Sequence, residues 1–417
     1  MTATSATSLR AALLSQGFVR APFARDAALP RVTVSRNAWG TTGNLADVLT
    51  AWAGQIQSEE LRDFKCVIPS IRMDPRDGAL TRDVGAGLAY TPRGFSTLVG
   101  LTLNGVAKEN NTANVVRVEV PCDARSIVWD SFKARSKRDV KAPVILRTFV
   151  DRITGTRAVR AAVSPRHALG AYDDSTMILA LAEVLPADSR AGFNRTPDAT
   201  HGTVVLPNPT ATGCGTIHTA IHFSNSETGC ESLSFSAGAH LSVTDTELRI
   251  TTAAGHQAEE LEREIELAAD DVRTTRRHTA PARLGEAQKI AIAKSRLEKD
   301  LKVVLDFTKQ IPAMWEKALA SFPEGLTAAN FEGMDAEQRA AVMMDKLEEL
   351  GAVKNAEDRA LVGAVIKSEE RLGRIPQGSA AHLAACFSIA AHLSSTYEEA
   401  KRLQAVSGDW LVNGWNR

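Results

Sequence analysis

The sequence predicts an α+β protein: a mixed or antiparallel sheet with a basic β-hairpin and packed helices, followed by an all-helical C-terminal region. Three observations carry this expectation. Short runs rich in Val, Ile, Thr and Phe recur between residues 64 and 250 with helix-period stretches among them. Residues 144–163 set two such runs on either side of the turn signal Thr154-Gly155. From residue 286 onward the apolar residues recur at spacings of three and four.

Taken in order, residues 1–40 form an N-terminal arm with Arg10, Arg20 and Arg25 and no acid before residue 26. That composition suits a flexible or partner-binding arm better than an organellar transit peptide. Asn44 then stands as an N-cap for an amphipathic helix carrying Leu45, Val48, Leu49, Trp52 and Ile56, expected to end near Asp63. Strands are expected at Phe64 to Ile68, Ser70 to Met73 and Val115 to Val120, and a short helix at Pro92 to about Leu103. After the hairpin, Ser175 to Leu185 reads as a helix with Met177, Ile178, Leu181, Ala182 and Leu185 on its apolar face. Asp173-Asp174, just before it, reads as an N-cap and dipole partner.

A second β region runs from Thr203 to Ile250, clearest at Thr216 to Phe223, Ser232 to Phe235, Leu241 to Val243 and Glu247 to Ile250. From residue 256 the pattern reads as a helix with Leu261, Ile265, Ala268 and Val272 on one face, Glu259, Glu260 and Glu262 in its first turns, and Arg273, Arg276 and Arg277 following its end. The domain organisation is therefore an arm at 1–40, an α+β core at 41–285 and a helical region at 286–417, the last broken at Pro312, Pro323 to Gly325, Gly351 and Pro376 to Gly378. The expected role of that last region is packing or subunit contact.

Composition excludes more than it identifies. Lys+Arg and Asp+Glu both total 49, so net charge is zero, and wholesale disorder and a polybasic histone-like protein are ruled out. Five Cys in odd number without a CxxC argue for a reducing interior and a cytoplasmic location. No apolar run approaches the ~20 residues of a membrane span.

Charge is uneven locally. From Lys133 to His167 stand ten basic residues, Lys133, Arg135, Lys137, Arg138, Lys141, Arg147, Arg152, Arg157, Arg160 and Arg166, against Asp139 and Asp151. If Val144, Leu146, Thr148 and Val150 point inward, Arg147 and Phe149 point outward, with Arg160 beside them on the partner strand. Outward arginine beside an aromatic ring is how a strand platform holds single-stranded nucleic acid, charge following phosphates and the ring stacking on a base. Trp129 and Phe132 are further stacking candidates. A solvated edge hairpin, or pairing with the acidic stretch Glu259 to Asp271, are the rival accounts of the same charge.

Cys214, His218, His222, Cys230 and His240 are residue types that bind zinc, but His218 and His222 would stand ~13 Å apart along one strand, too far to share an ion. No metal, ATP or NAD motif is present, nor a GxSxG elbow, so neither a cofactor nor an enzymatic activity is expected; metal-dependent chemistry at the Cys214 to His240 cluster is the weak alternative. His382 and His392, on an apolar helical stretch, read as core histidines.

Several stretches, in order, resemble an uncharacterised phage- and plasmid-encoded family, the domain of unknown function 932. They are Leu146-Arg147-Thr148, Arg160 to His167, Tyr172-Asp173, Ser224-Asn225-Ser226-Glu227-Thr228-Gly229 and Arg277-His278-Thr279, with Gly87 to Leu98 similar to the family's early helix start. The match spans about residues 85–285 and departs at His167 and at Thr251 to Gly255. The resemblance implies a mobile-element origin and, by analogy with single-strand annealing proteins of the RecT type, a role in recombination or replication. The expectation is thus a single-stranded DNA-binding, strand-annealing homo-oligomer in a bacterial host cell, with phage or host recombination proteins as partners and no membrane. The alternative is a self-assembling structural protein of a phage or mobile element without nucleic-acid activity.

Overall fold

The computed structural model describes residues 43–67, 71–73, 80–82, 85–90, 94, 97–98, 143–150, 157–163, 173–195, 199–227, 233–244, 246–250, 286–367, 372–394 and 397–413. Its strands, in chain order, are β1 (Gly43–Asn44), β2 (Arg62–Val67), β3 (Ile71–Met73), β4 (Leu80–Arg82), β5 (Gly85–Tyr90), β6 (Pro143–Val150), β7 (Arg157–Val163), β8 (Arg190–Arg195), β9 (Thr200–Val205), β10 (Thr210–Thr212), β11 (Gly215–Asn225), β12 (Ser234–Leu241) and β13 (Thr246–Ile250). The helices are α1 (Leu45–Ser58), α2 (Asp174–Val184), α3 (Glu286–Thr308), α4 (Ile311–Leu319), α5 (Ala336–Glu349), α6 (Ala356–Lys367), α7 (Ala380–Leu393) and α8 (Tyr397–Asn413). The α+β class read from the sequence is the class observed.

Among the described residues these strands form two sheets. The first, wholly antiparallel, has the order β1-β8-β9-β11-β12-β13 with β10 added beside β11. The second has the order β2-β6-β7-β5-β4-β3 and is mixed, because β5 runs parallel to β7 while its other pairs are antiparallel.

Helix α1 starts where its cap dictates: the Asn44 side chain accepts the Asp47 N–H at 2.9 Å. It buries the expected stripe Leu45, Val48, Leu49, Trp52 and Ile56. The Trp52 ring stacks on Phe193 and on Phe223, with centroids 5.2 and 5.5 Å away. Phe223 reaches that position because Gly202, opposite it on β9, has no side chain; a Cβ there would stand 2.1 Å from the ring. Gly202→Ala is therefore expected to lower stability by about 1–3 kcal/mol through overpacking, read from urea unfolding. An unchanged midpoint would show that the stack has room to move.

The apolar face of the first sheet, including Ile221, Phe235, Ala237 and Leu248, is covered by α1, α2 and the C-terminal helices, in one continuous core that also holds Leu301, Trp315, Met343 and Phe387. The described helices from α3 to α8 thus pack their apolar faces onto the sheet of the preceding region and share its core. The breaks fall where Pro and Gly were noted: Pro312 lies in the first turn of α4, and Gly351, after α5, has φ +66°.

Two element readings are corrected. The stretch Phe235 to Leu241 contains no break; β12 runs straight through Ala237, Gly238 and Ala239. Gly238 is needed inside that strand because a Cβ would lie 2.2 Å from the His222 ring and 2.3 Å from the Leu248 carbonyl oxygen. Helix α1 also ends at Ser58 rather than near Asp63, since Arg62 already begins β2. The strand expected at Val115 to Val120, most of the helix at Pro92 to Leu103, and the helix from residue 256 lie outside the described residues.

Candidate functional site

The hairpin forms as expected from β6 and β7, but its arginines point inward. Strand β6 lies between β2 and β7, and Leu146, Arg147, Thr148 and Phe149 are all buried, so both of its faces are covered. The pairing shifts register in mid-hairpin: Arg147 faces Ala161 while Thr148 faces Val159, leaving Arg160 as the extra residue of a bulge. A bulge turns neighbouring side chains towards one side of a strand. Here both Arg147 and Arg160 reach the same carboxylate.

That carboxylate is Glu227, at the end of β11. Arg160 Nη1 donates to Glu227 Oε2 at 2.8 Å; Arg147 Nη1 donates to Asp173 Oδ1 at 3.1 Å and to the Glu227 carbonyl oxygen at 3.4 Å. The other carboxylate oxygen, Oε1, accepts the Asp174 N–H at 2.6 Å, so the start of α2 is held by a residue 53 positions away. Asp173 occupies the N-cap position but makes no capping hydrogen bond with its side chain, which is given to Arg147 instead. Asp174 Oδ2 accepts from Arg195 Nε at 2.9 Å and from Thr200 Oγ1 at 2.8 Å, and its Oδ1 accepts from Asn225 Nδ2 at 2.8 Å. Arg195 Nη1 then reaches Glu59 Oε2 at 2.7 Å, at the end of α1. Three guanidiniums face four carboxylates, and both sheets and two helices meet there.

The cluster is dry: Arg147 and Arg160 are each 2% exposed, and Glu227 6%. Burial works against the Arg147 charge, but Asp173, Asp63 and Glu227 more than offset it, so its pKa rises. Arg195 rises likewise, with Asp174 and Glu59 outweighing burial. For Arg160 burial wins over Glu227, and the guanidinium is pushed down to about 10, still charged near neutral pH. Burial, with Asp174 and Asp173 nearby, pushes the Glu227 carboxyl up against the pull of Arg160 and Arg147.

This corrects the expected interface. Arg147 and Arg160 are ion-paired inside the protein, and Phe149 packs on Ala158 and Leu61, so none of the three is offered to a nucleic acid. The reason is that both faces of β6 are covered; outward alternation holds only where one face is bare. Arg157 is half-buried and donates to the Glu60 carbonyl oxygen at 2.8 Å and to its carboxylate at 3.3 Å. Lys133, Arg135, Lys137, Arg138, Lys141, Arg152, Arg166, Trp129 and Phe132 lie outside the described residues, as does the acidic stretch 259–271.

Sequence reasoning missed Glu227, Asp174, Arg195 and Glu59 as members of one site, since their separations leave no local signal. Arg147, Arg160, Asp173, Asn225 and Glu227, from stretches far apart in the chain, all belong to this cluster.

The cysteine and histidine residues divide. Cys214 Sγ donates to the Arg374 carbonyl oxygen at 2.9 Å, and burial beside Glu316 pushes its thiol up. His222 is buried between Thr203 Oγ1, 3.0 Å from Nδ1, and the Leu248 carbonyl oxygen, 3.3 Å from Nε2; burial and Arg249 push it down to about 3. His382 is buried as expected of a core histidine, 3.8 Å from Cys386 Sγ, and burial drives that thiol up as well. Neither buried thiol has the anionic form a nucleophile needs. Cys230 lies outside the described residues, and among the described residues no three ligating side chains converge on one point. No described helix is long and apolar enough to cross a membrane.

No family model, no curated protein and no solved structure matches the chain.

Proposed function

We propose that this chain binds single-stranded nucleic acid on the basic segments that flank and join the β6–β7 hairpin, with the ionic cluster as their rigid support. The observation that carries the reading is residual charge. With Arg147 and Arg160 neutralised inside, residues 133–167 still hold eight basic residues against Asp139 and Asp151, in a chain of zero net charge. One of the eight, Arg157, is tied to Glu60; the others stand in the stretches before, between and after the two strands. Basic residues concentrated this way neutralise phosphates and release counterions. Trp129 and Phe132 add stacking surfaces beside them.

The same reading extends to strand annealing by a homo-oligomer of mobile-element origin, without nucleotide or metal. Its support is that Arg147, Arg160, Asp173, Asn225 and Glu227, from the family-like stretches, gather in one cluster. Self-assembly through residues 286–417 has less support, because the apolar faces of those helices are already buried on the first sheet.

The test is fluorescence polarisation of a labelled oligo-dT with the full chain, at low and at ~200 mM salt, with duplex DNA as control. Salt-sensitive binding that favours the single strand is expected. Lys137→Ala, Lys141→Ala and Arg138→Ala combined should weaken it and make the slope of log K against log salt shallower by about 2, at roughly 0.7 per phosphate contact. Absence of binding at low salt would overturn the proposal.

A further inference from the structure

Facing away from the core, the first sheet carries a row of polar side chains. His218 on β11 and His240 on β12 are direct cross-strand partners, on the same side as His222, Ser224, Ser234 and Ser236. Both histidines are half-buried, so they are reachable from solvent, and their ring centroids lie 6.2 Å apart, edge to face. On β13, Glu247 occupies the register position opposite His240. His222, further along β11 on the same side, is locked to Thr203 and Leu248. Strand pairing brings His218 and His240, 22 residues apart, into one row.

We propose that His218 and His240 form a two-histidine site for a divalent transition cation, copper(II) or zinc, on the polar side of the first sheet. Two imidazoles bound to one ion at ~2.1 Å per metal–nitrogen bond have centroids separated by roughly 5.3 Å at a tetrahedral angle and 6.5 Å when linear. The observed 6.2 Å falls within that interval. A cross-strand pair also brings its two donors together before the ion arrives, so little backbone ordering accompanies binding. Burial, with Arg190 nearby, pulls the His218 imidazole below its ordinary pKa. The cation of Arg190 opposes a second positive charge, and imidazole donors favour copper(II) over zinc in the general order of affinities. Water completes the coordination shell. This site is independent of the nucleic-acid reading, and neither stands or falls with the other.

The experiment titrates copper(II), then zinc, into the full-length chain at neutral pH, by calorimetry and by nuclear magnetic resonance of the histidine ring protons. In the wild-type chain, two of the nine histidines are expected to shift or broaden on the first equivalent, with two nitrogen donors in the copper electron-spin spectrum. His218→Ala and His240→Ala should each weaken binding by about tenfold or more, and the double variant by little beyond either one, as expected for two ligands of one ion. Unchanged circular dichroism in these variants would keep the result from being one of misfolding. No binding in the wild type, or binding that survives both substitutions, or binding abolished only by Cys66→Ser, would overturn the proposal. Because the resonance readout uses the unaltered chain, it decides the matter even if a variant fails to fold.

Discussion

Glu227→Ala is expected to destabilise the protein by about 3–5 kcal/mol, because it strips the buried Arg160 guanidinium of the Glu227 carboxylate, while Arg147 keeps Asp173. That is a large share of the 5–15 kcal/mol typical of a folded chain. The same change removes the acceptor of the Asp174 N–H, so the start of α2 loses its hold. Urea unfolding measures the loss, and a double variant with Arg160→Met tests its origin. If the uncompensated charge is the main term, replacing Arg160 with an apolar side chain should recover part of the stability, giving a clearly non-additive cycle. A loss below about 1 kcal/mol for Glu227→Ala would mean that the two sheets are not held together here.

The second large effect is instability in mild acid. Burial pushes His222 down to about 3, and His201 and His382 down to about 4. In the unfolded chain each titrates near 6.5. Between those values the unfolded state binds three protons that the folded state refuses, so stability falls as pH falls through 6.5 towards 4. Glu227, pushed up by burial, works the other way by at most one proton. The net loss expected from pH 6.5 to pH 5 is about 3 kcal/mol, at roughly 1.4 kcal/mol per proton and pH unit, because each unfolded histidine is only half protonated at the upper end. His222→Gln should remove one proton from that slope, whatever it does to stability at neutral pH. Equal urea midpoints at the two pH values would rule the account out.

What the sequence made legible was local. Asn44 capping α1, the stripe ending in Ile56, and the α2 helix with Met177, Ile178 and Leu181 buried are all set by spacing within one element, and periodicity reports that directly. The hairpin was legible too, through its two β-prone runs. Which way its arginines faced was not, because alternation fixes relative directions along a strand and says nothing about whether both faces are covered. Arg147 meets a helix start 26 residues on and a strand end 80 residues on. No window of sequence contains all three. The register shift that aims Arg160 is likewise invisible before the strands pair. The continuity of β12 was not legible for a related reason: Gly238 weakens the β-prone pattern, whereas in the strand it answers to the His222 ring and the Leu248 carbonyl oxygen beside it.

The way α8 seats on β13 bears on how the chain is made. Gly408 lies so close to this strand that a Cβ would stand 2.3 Å from the Arg249 carbonyl oxygen, and Leu403, Trp410 and Leu411 are buried. Synthesis delivers the first sheet more than 140 residues before α8 is complete, at a pace of about 5–20 residues per second. For several seconds, therefore, the nascent chain carries a long apolar β surface whose cover has not yet left the ribosome. Such a surface invites capture by other strands and by chaperones.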